Sequence, residues 1–219
     1  MHFSVITPTP GLEHEAMHQL FQGVYAEHQW LWRFFPSETG TARDHIFRRA
    51  DHGQAMRFYV VSKRPPVAFS DAWSVQTRPY TPRLQAGDQL EFELRANPVV
   101  TRQHDDGKSR RHDVVMDAKR RAKEDGSERV SSYSLVRSAC TAWLNQQGGR
   151  HGFLVDETSL SVDGYTQHVG KGDRIRFSSV DFRGALRVTD PDAFAAMLAS
   201  GLGHAKAFGC GLMLVRRPL

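Results

Sequence analysis

Apolar residues at Leu12, Ala16, Leu20, Val24, Leu31 and Phe35 recur at steps of about 3.6, with His28 completing the stripe between Val24 and Leu31. This spacing predicts one amphipathic helix over 12–35, stopped by Pro36. Ahead of it, 3–6 reads as a short strand ended by Thr7-Pro8-Thr9-Pro10-Gly11. Beyond it, strands are predicted over 45–49 and 55–61 around a turn at Asp51-His52-Gly53, the second strand alternating Met56, Phe58 and Val60. Prolines at 65, 66, 79 and 82 punctuate the next stretch and leave 67–75 as its compact apolar element. Leu90, Phe92 and Leu94 alternate again, in a strand that runs into Asn97-Pro98, where the chain is expected to divide.

The second half starts with a strand near Val99 and a basic, hairpin-like stretch over 102–115. A helix over 128–146 follows, carrying Val130, Tyr133, Val136, Cys140, Trp143 and Leu144 and ended by Gly148-Gly149. Strands are predicted over 153–162 and 174–188. Asp190 as N-cap and Pro191 at the first helical position then open a short helix over 192–200. A glycine-rich loop, 201–211, leads to a last strand over 212–215. Each half reads as strand, helix, strands, helix, strand, the order of a ferredoxin-like module. The expected architecture is α+β, with two tandem ferredoxin-like domains at 1–96 and 97–219.

A chain of 219 residues with 40% hydrophobic content excludes a fibre, a collagen and a disordered tail. The 29 basic and 24 acidic residues leave +5. Three basic segments, 41–83, 102–123 and 171–219, produce that excess; gathered on one side they would attract a polyanion. Cys140 and Cys210 fit neither a disulfide framework nor a metal-ligand spacing, which points to a reducing compartment. The first residues lack a basic stretch followed by an apolar one, and no run of about 18 apolar residues occurs. A cytoplasmic protein without a membrane partner is therefore expected.

Candidate chemistry sits in three places. His14-Glu15-Ala16-Met17-His18 fits H-E-x-x-H, which on a helix can bind zinc. No downstream Glu or His offers the third ligand in a recognisable spacing, so this match reads as a surface turn, no metal is expected, and a zinc hydrolase is the poorer rival. Tyr25 and His28, three apart, project from one side of their helix and bring a phenol beside an imidazole, as a packed pair or as a reactive one. In the glycine-rich loop, backbone N–H groups around Lys206 can approach a phosphate, or the glycines can serve turns at positive φ. The loop lacks the order of a nucleotide P-loop.

Together, His28-Gln29-x-Leu31-Trp32-x-x-Phe35-Pro36, Leu94-Arg95-Ala96-Asn97-Pro98 and Gly201-x-Gly203-x-Ala205-Lys206-x-x-Gly209-Cys210-Gly211-Leu212 resemble the CasE family, the CRISPR-RNA-processing endoribonucleases of type I-E Cascade. The three motifs span almost the whole chain in the family's order. The resemblance implies two tandem ferredoxin-like folds and cleavage of precursor CRISPR RNA at the base of each repeat hairpin. It also implies a reaction without metal or other cofactor, and retention on the product with other Cascade subunits. The family's active-site histidine matches His28, its companion tyrosine Tyr25, and a basic residue five positions after the histidine Arg33.

Residue chemistry accommodates that assignment. The RNA 2′-hydroxyl can attack its own 3′-phosphate if one group takes its proton and another protonates the departing 5′-oxygen. His28 suits either proton transfer, Tyr25 can donate a hydrogen bond or orient the nucleophile, and Arg33 can hold the extra charge on phosphorus. Which of His28 and Tyr25 is acid and which base stays open. The products would carry a 5′-hydroxyl and a 2′,3′-cyclic phosphate. RNA affinity is expected from Arg102, Lys108, Arg110, Arg111 and Lys206, with the backbone at Gly201, Gly203, Gly209 and Gly211. The rival from another class is a non-catalytic RNA-hairpin-binding subunit of the same fold; His28 beside Tyr25 favours catalysis.

Overall fold

A computed structural model describes residues 1–20, 24–38, 40–52, 55–103, 107–126, 131–170 and 175–218. The first half runs β1 (His2–Pro8), α1 (Glu13–Gln19), α2 (Val24–Trp32), β2 (His45–His52), β3 (Ala55–Ser62) and β4 (Trp73–Pro79). Its strands form an antiparallel sheet in the order β2-β3-β1-β4. Alternation along the strands sends Ile6, Phe47, Phe58 and Val60 to one face, where Ala16, Leu20, Trp30, Leu31, Phe34 and Phe35 cover them. The Trp30 ring lies 4.5 Å from Phe58 and 4.6 Å from Trp73, centroid to centroid.

Two expectations for this half are corrected. The single helix over 12–35 is two helices, because Leu20 leaves helical geometry (φ −91°, ψ 99°); 21–23 lie outside the described residues, as does the turn position Gly53. The second helix of a ferredoxin-like unit is replaced by irregular chain over 63–72. Pro65 and Pro66 supply no N–H and hold φ near −65°, which stops a helix there.

The second half runs β5 (Gln89–Ala96), β6 (Val99–Gln103), β7 (Ser109–Asp113), α3 (Val114–Glu124), α4 (Ser132–Arg150), β8 (Phe153–Val155), β9 (Ser161–Val169), β10 (Arg176–Val188), α5 (Pro191–Ser200) and β11 (Met213–Arg216). Its antiparallel sheet has the order β11-β5-β10-β8, with β9 also on β10. The hairpin β6-β7 and α3 form an insertion between β5 and α4. Leu94 faces both Phe182 and Met213 in register. β5 thus belongs to the second sheet, so the sheets part between Pro79 and Gln89, earlier than the expected division after residue 96.

Three further details depart from or bear out the pattern. α3 begins within the expected hairpin-like stretch and continues through chain to which no element was assigned; the Asp113 side chain caps it by accepting from the Met116 N–H at 2.8 Å. Gly148 lies inside α4 rather than ending it, since a Cβ there would stand 2.5 Å from the Phe153 carbonyl oxygen, and only glycine lets helix and β8 approach so closely. The start expected for that helix at 128–130 lies outside the described residues, as does 174. α5 begins as expected, the Asp190 carboxylate accepting from the N–H groups of Asp192 and Ala193.

Apolar contact joins the halves: Ile46, Val61 and Leu212 are buried together against Phe3, Tyr80 and Leu214. Buried Arg48 on β2 reaches Glu93 at 3.3 Å and Asp181 at 3.9 Å on the second sheet. The glycine-rich loop of the second half therefore rests on β2 of the first, with Gly201 against Ile46 and Gly209 against Phe47.

Candidate active site

α2 turns Trp30 and Leu31 into the first core, which leaves His28 on the side that meets the glycine-rich loop. The imidazole is half-buried, and its Nδ1 has no hydrogen-bond partner among the described residues. Ring centroids of Tyr25, Trp32 and Phe208 stand 6.4, 6.3 and 5.8 Å from it, the last two edge-on. Tyr25 is 39% exposed, and its hydroxyl accepts from Gln29 Nε2 at 3.5 Å.

Phe208 reaches His28 through a strained turn. Ala205 has φ 54°, the one positive φ of a residue other than glycine among the described residues; it costs about 1–2 kcal/mol. A 3-10 turn, Lys206–Phe208, follows, closed by the Phe208 N–H donating to the Ala205 carbonyl at 2.9 Å. Gly209 at φ 78° reverses the chain again. Phe208 stacks on Phe177 (5.1 Å, 15°), which stacks on His168 (4.6 Å, 21°), so an aromatic column crosses from β9 to the histidine.

Burial, and then the charge of Arg43, lower the His28 pKa below its ordinary 6.5, against a smaller upward pull from the Ala207 main chain. At neutral pH the ring is therefore mainly the free base, able to accept a proton. His45, at the start of β2, is buried with its ring stacked 4.3 Å from Phe35, and burial holds its pKa down to about 4.

The structure brings Tyr25, His28 and the glycine-rich loop together. Arg33 is placed elsewhere, its guanidinium carbon 3.7 Å from the Phe69 ring centroid. Lys206 Nζ donates to the Ser200 carbonyl at 2.8 Å, and burial lowers its pKa. Gly201, Gly203, Gly209 and Gly211 all have positive φ. Gly211 is the tightest: a Cβ would stand 2.7 Å from the Leu202 carbonyl oxygen.

Arg102 is committed to Asp117, a buried carboxylate 2.7 Å away that also meets Arg120 and Arg121. It thereby ties the hairpin to α3. Lys108, Arg110 and Arg111 are exposed on the hairpin. The basic face continues onto α3 with Lys119, Arg120, Arg121 and Lys123, where no element was expected. Their signal was Asp113 as cap with Val114, Val115, Ala118 and Ala122 at helical spacing. Arg43 and His45 also went unread.

His14 and His18 sit on exposed α1 with ring centroids 4.4 Å apart. Among the described residues, no group of three or more His, Cys, Asp or Glu could hold a metal ion, and no helix is long and apolar enough to cross a membrane.

A family model described as CRISPR associated protein matches residues 1–217. The chain is similar to the CRISPR system Cascade subunit CasE of Escherichia coli strain K12, 29% identical over 194 residues, covering 87% of this chain and 90% of that one. It is also 29% identical over 150 residues to the CRISPR-associated endoribonuclease Cse3 of Thermus thermophilus, covering 63% of this chain and 60% of that protein. Among solved structures it is similar to Cas6e from Escherichia coli K-12, with TM-score 0.64 and 22% identity over all of both chains. It is also similar to Thermus thermophilus Cse3 bound to an RNA representing a pre-cleavage complex, with TM-score 0.69 and 20% identity over 98% of each chain. The shared fold is the tandem ferredoxin-like α+β architecture, expected from the element order.

Proposed function

The chain belongs to the CRISPR-associated protein family, and on that footing we propose that it is an endoribonuclease that cuts precursor CRISPR RNA at the base of the repeat hairpin and stays on its product as a Cascade subunit. The observation that carries this reading is His28: half-buried, unpaired at Nδ1, and enclosed by Tyr25, Trp32 and Phe208 where the glycine-rich loop of one half meets α2 of the other.

In this reading the hairpin lies along the exposed cations of β6-β7 and α3, and its scissile linkage enters beside His28. The free imidazole takes the proton of the 2′-hydroxyl; the 2′-oxygen forms a bond to the adjacent phosphorus, and the bond from phosphorus to the 5′-oxygen breaks. In this reading the leaving 5′-oxygen takes its proton from water, while the Tyr25 hydroxyl donates a hydrogen bond to it or to a phosphate oxygen. One fragment ends in a 2′,3′-cyclic phosphate and the other in a 5′-hydroxyl. No step calls on a metal. The working place is the cytoplasm, in keeping with two buried, unpaired cysteines, and the two domains divide between residues 79 and 89.

The test is cleavage of the chain's own repeat RNA in EDTA. His28→Ala should slow cutting by about 10²- to 10⁴-fold and leave hairpin affinity nearly unchanged, since a general base acts in the transition state rather than in binding. Near-parental cutting by this variant overturns the assignment. Uncut RNA bound tightly by the parent protein itself favours the non-catalytic binding subunit.

A further inference from the structure

His45 is buried at the start of β2, its ring stacked on Phe35 and 5.2 Å from Trp32, so this end of β2 is pinned to the end of the helix that carries His28. Two residues ahead of it lies Arg43, half-buried in the same corner. The acid beside Arg43 in sequence is already taken: Asp44 Oδ2 receives Arg64 Nε at 2.7 Å. Among the described residues no carboxylate pairs with Arg43. Arg48, Arg49, Arg64 and Arg95, by contrast, each pair with at least one. The groups whose charge meets that of Arg43 are His28, His45 and Lys206, all basic.

A half-buried guanidinium without a carboxylate partner, set among bases beside a histidine whose Nδ1 is unpaired, lacks an anion. We propose that Arg43 is the catalytic residue that grips the scissile phosphate of the RNA and meets the charge that builds on its non-bridging oxygens as the 2′-oxygen attacks. This rests on the endoribonuclease reading above and assigns Arg43 the part that the sequence resemblance suggested for Arg33, which the fold lays over Phe69. A planar guanidinium can hold two phosphate oxygens at once, and such a donor contributes most when charge develops. Arg43 also helps keep His28 unprotonated before the phosphate arrives. The arriving anion offsets that influence and raises the imidazole's basicity as proton transfer begins.

The experiment is single-turnover cleavage of the repeat hairpin by the full-length protein and its Arg43→Ala, Arg43→Lys, Arg33→Ala and His28→Ala variants, with affinity measured on hairpin RNA carrying a 2′-deoxy scissile nucleotide. Arg43→Ala should lower the rate by about 10²- to 10³-fold while hairpin affinity, spread over many phosphates, changes by less than about fivefold. Arg43→Lys should recover part of the rate. Added guanidinium at millimolar concentration should speed Arg43→Ala and not His28→Ala, a response that a folding role would not give. Arg33→Ala should cut at nearly the parental rate. A parental rate for Arg43→Ala, or a lower rate that neither lysine nor guanidinium recovers, overturns the proposal for Arg43 alone as long as His28→Ala is inactive. Parental cutting by His28→Ala overturns the role of His28 beneath it, and uncut RNA bound tightly by the parent protein overturns the enzyme reading itself. Should Arg43→Ala fail to fold, Arg43→Lys against Arg43→Gln makes the same comparison of charge.

Discussion

Gly211→Ala sets the hardest local demand on the loop that holds Phe208 against His28. The new Cβ would stand 2.7 Å from the Leu202 carbonyl oxygen, where ordinary contact begins at 3.4 Å, so the loop must part by about 0.7 Å. Two hydrogen bonds clamp that point: the Leu202 N–H donates to the Gly211 carbonyl at 2.8 Å, and the Gly211 N–H to the Arg95 carbonyl at 2.7 Å. Losing one costs about 1 kcal/mol. Holding alanine at φ 93° adds about 1–3 kcal/mol. The expected loss is about 2–4 kcal/mol, which for a chain of this size lowers Tm by about 4–16 °C. Movement of Ala207 and Phe208 away from His28 should slow cleavage by up to about 10²-fold, with hairpin affinity nearly kept. Thermal melts, single-turnover cleavage and titration with uncleavable RNA read the three quantities separately. A variant that melts within about 1 °C of the parent and cuts at the parental rate would refute the reasoning that this loop is closed too tightly for a side chain and positions the site.

Three further outcomes follow from charge. Because burial and Arg43 lower the His28 pKa in the RNA-free protein, its free base persists to lower pH: the acid limb of kcat/KM, which reports the free protein, should be centred below 6.5. An acid limb centred at or above 6.5 contradicts His28 as the base. His45, held at about 4, stays neutral in the fold while the unfolded chain takes up a proton from about 6.5 downward, so stability should fall as pH drops from 6.5 toward 4. Melts at each pH separate that loss from the rate effect. Exchanging Lys108, Arg110 and Arg111 for Glu should weaken hairpin binding and flatten its salt dependence, since fewer counter-ions are released; unchanged affinity and slope would place the RNA elsewhere.

The strands β3 and β5 and the α5 cap were legible because their signals are local: alternation at Met56-Phe58-Val60 and Leu90-Phe92-Leu94, and Asp190-Pro191 at a helix start. The one strand expected over 153–162 is instead β8 and β9, parted by a turn over 156–160. What escaped the sequence was decided by tertiary contact. Gly148 reads as a helix end, yet its lack of a side chain serves the approach of β8. β5 reads as the close of the first half, but its register with β10 and β11 is a matter of partners distant in the chain. α3 was hidden because its charged positions outnumber the few apolar ones that mark its buried face.

The same division holds at the site. Tyr25 and His28 lie one helical turn apart, so their pairing was visible. Arg33 was assigned by sequence distance from His28, but the apolar surface of Phe69 collects it. Arg43 lies outside any regular element, and only the packing of His45 on Phe35 and Trp32 shows where it stands.

The claim that the substrate supplies its own nucleophile is tested most directly by one atom. Repeat RNA with a single 2′-deoxy sugar on the 5′ side of the scissile phosphate should bind like the unmodified hairpin, since its shape and phosphates are unchanged, and should not be cut. Unmodified RNA should yield one fragment with a 5′-hydroxyl and one with a 2′,3′-cyclic phosphate or its opened form. Normal cutting of the deoxy substrate, or a 5′-phosphate on the product, would show that water attacks instead and would contradict the roles given to His28, Tyr25 and Arg43.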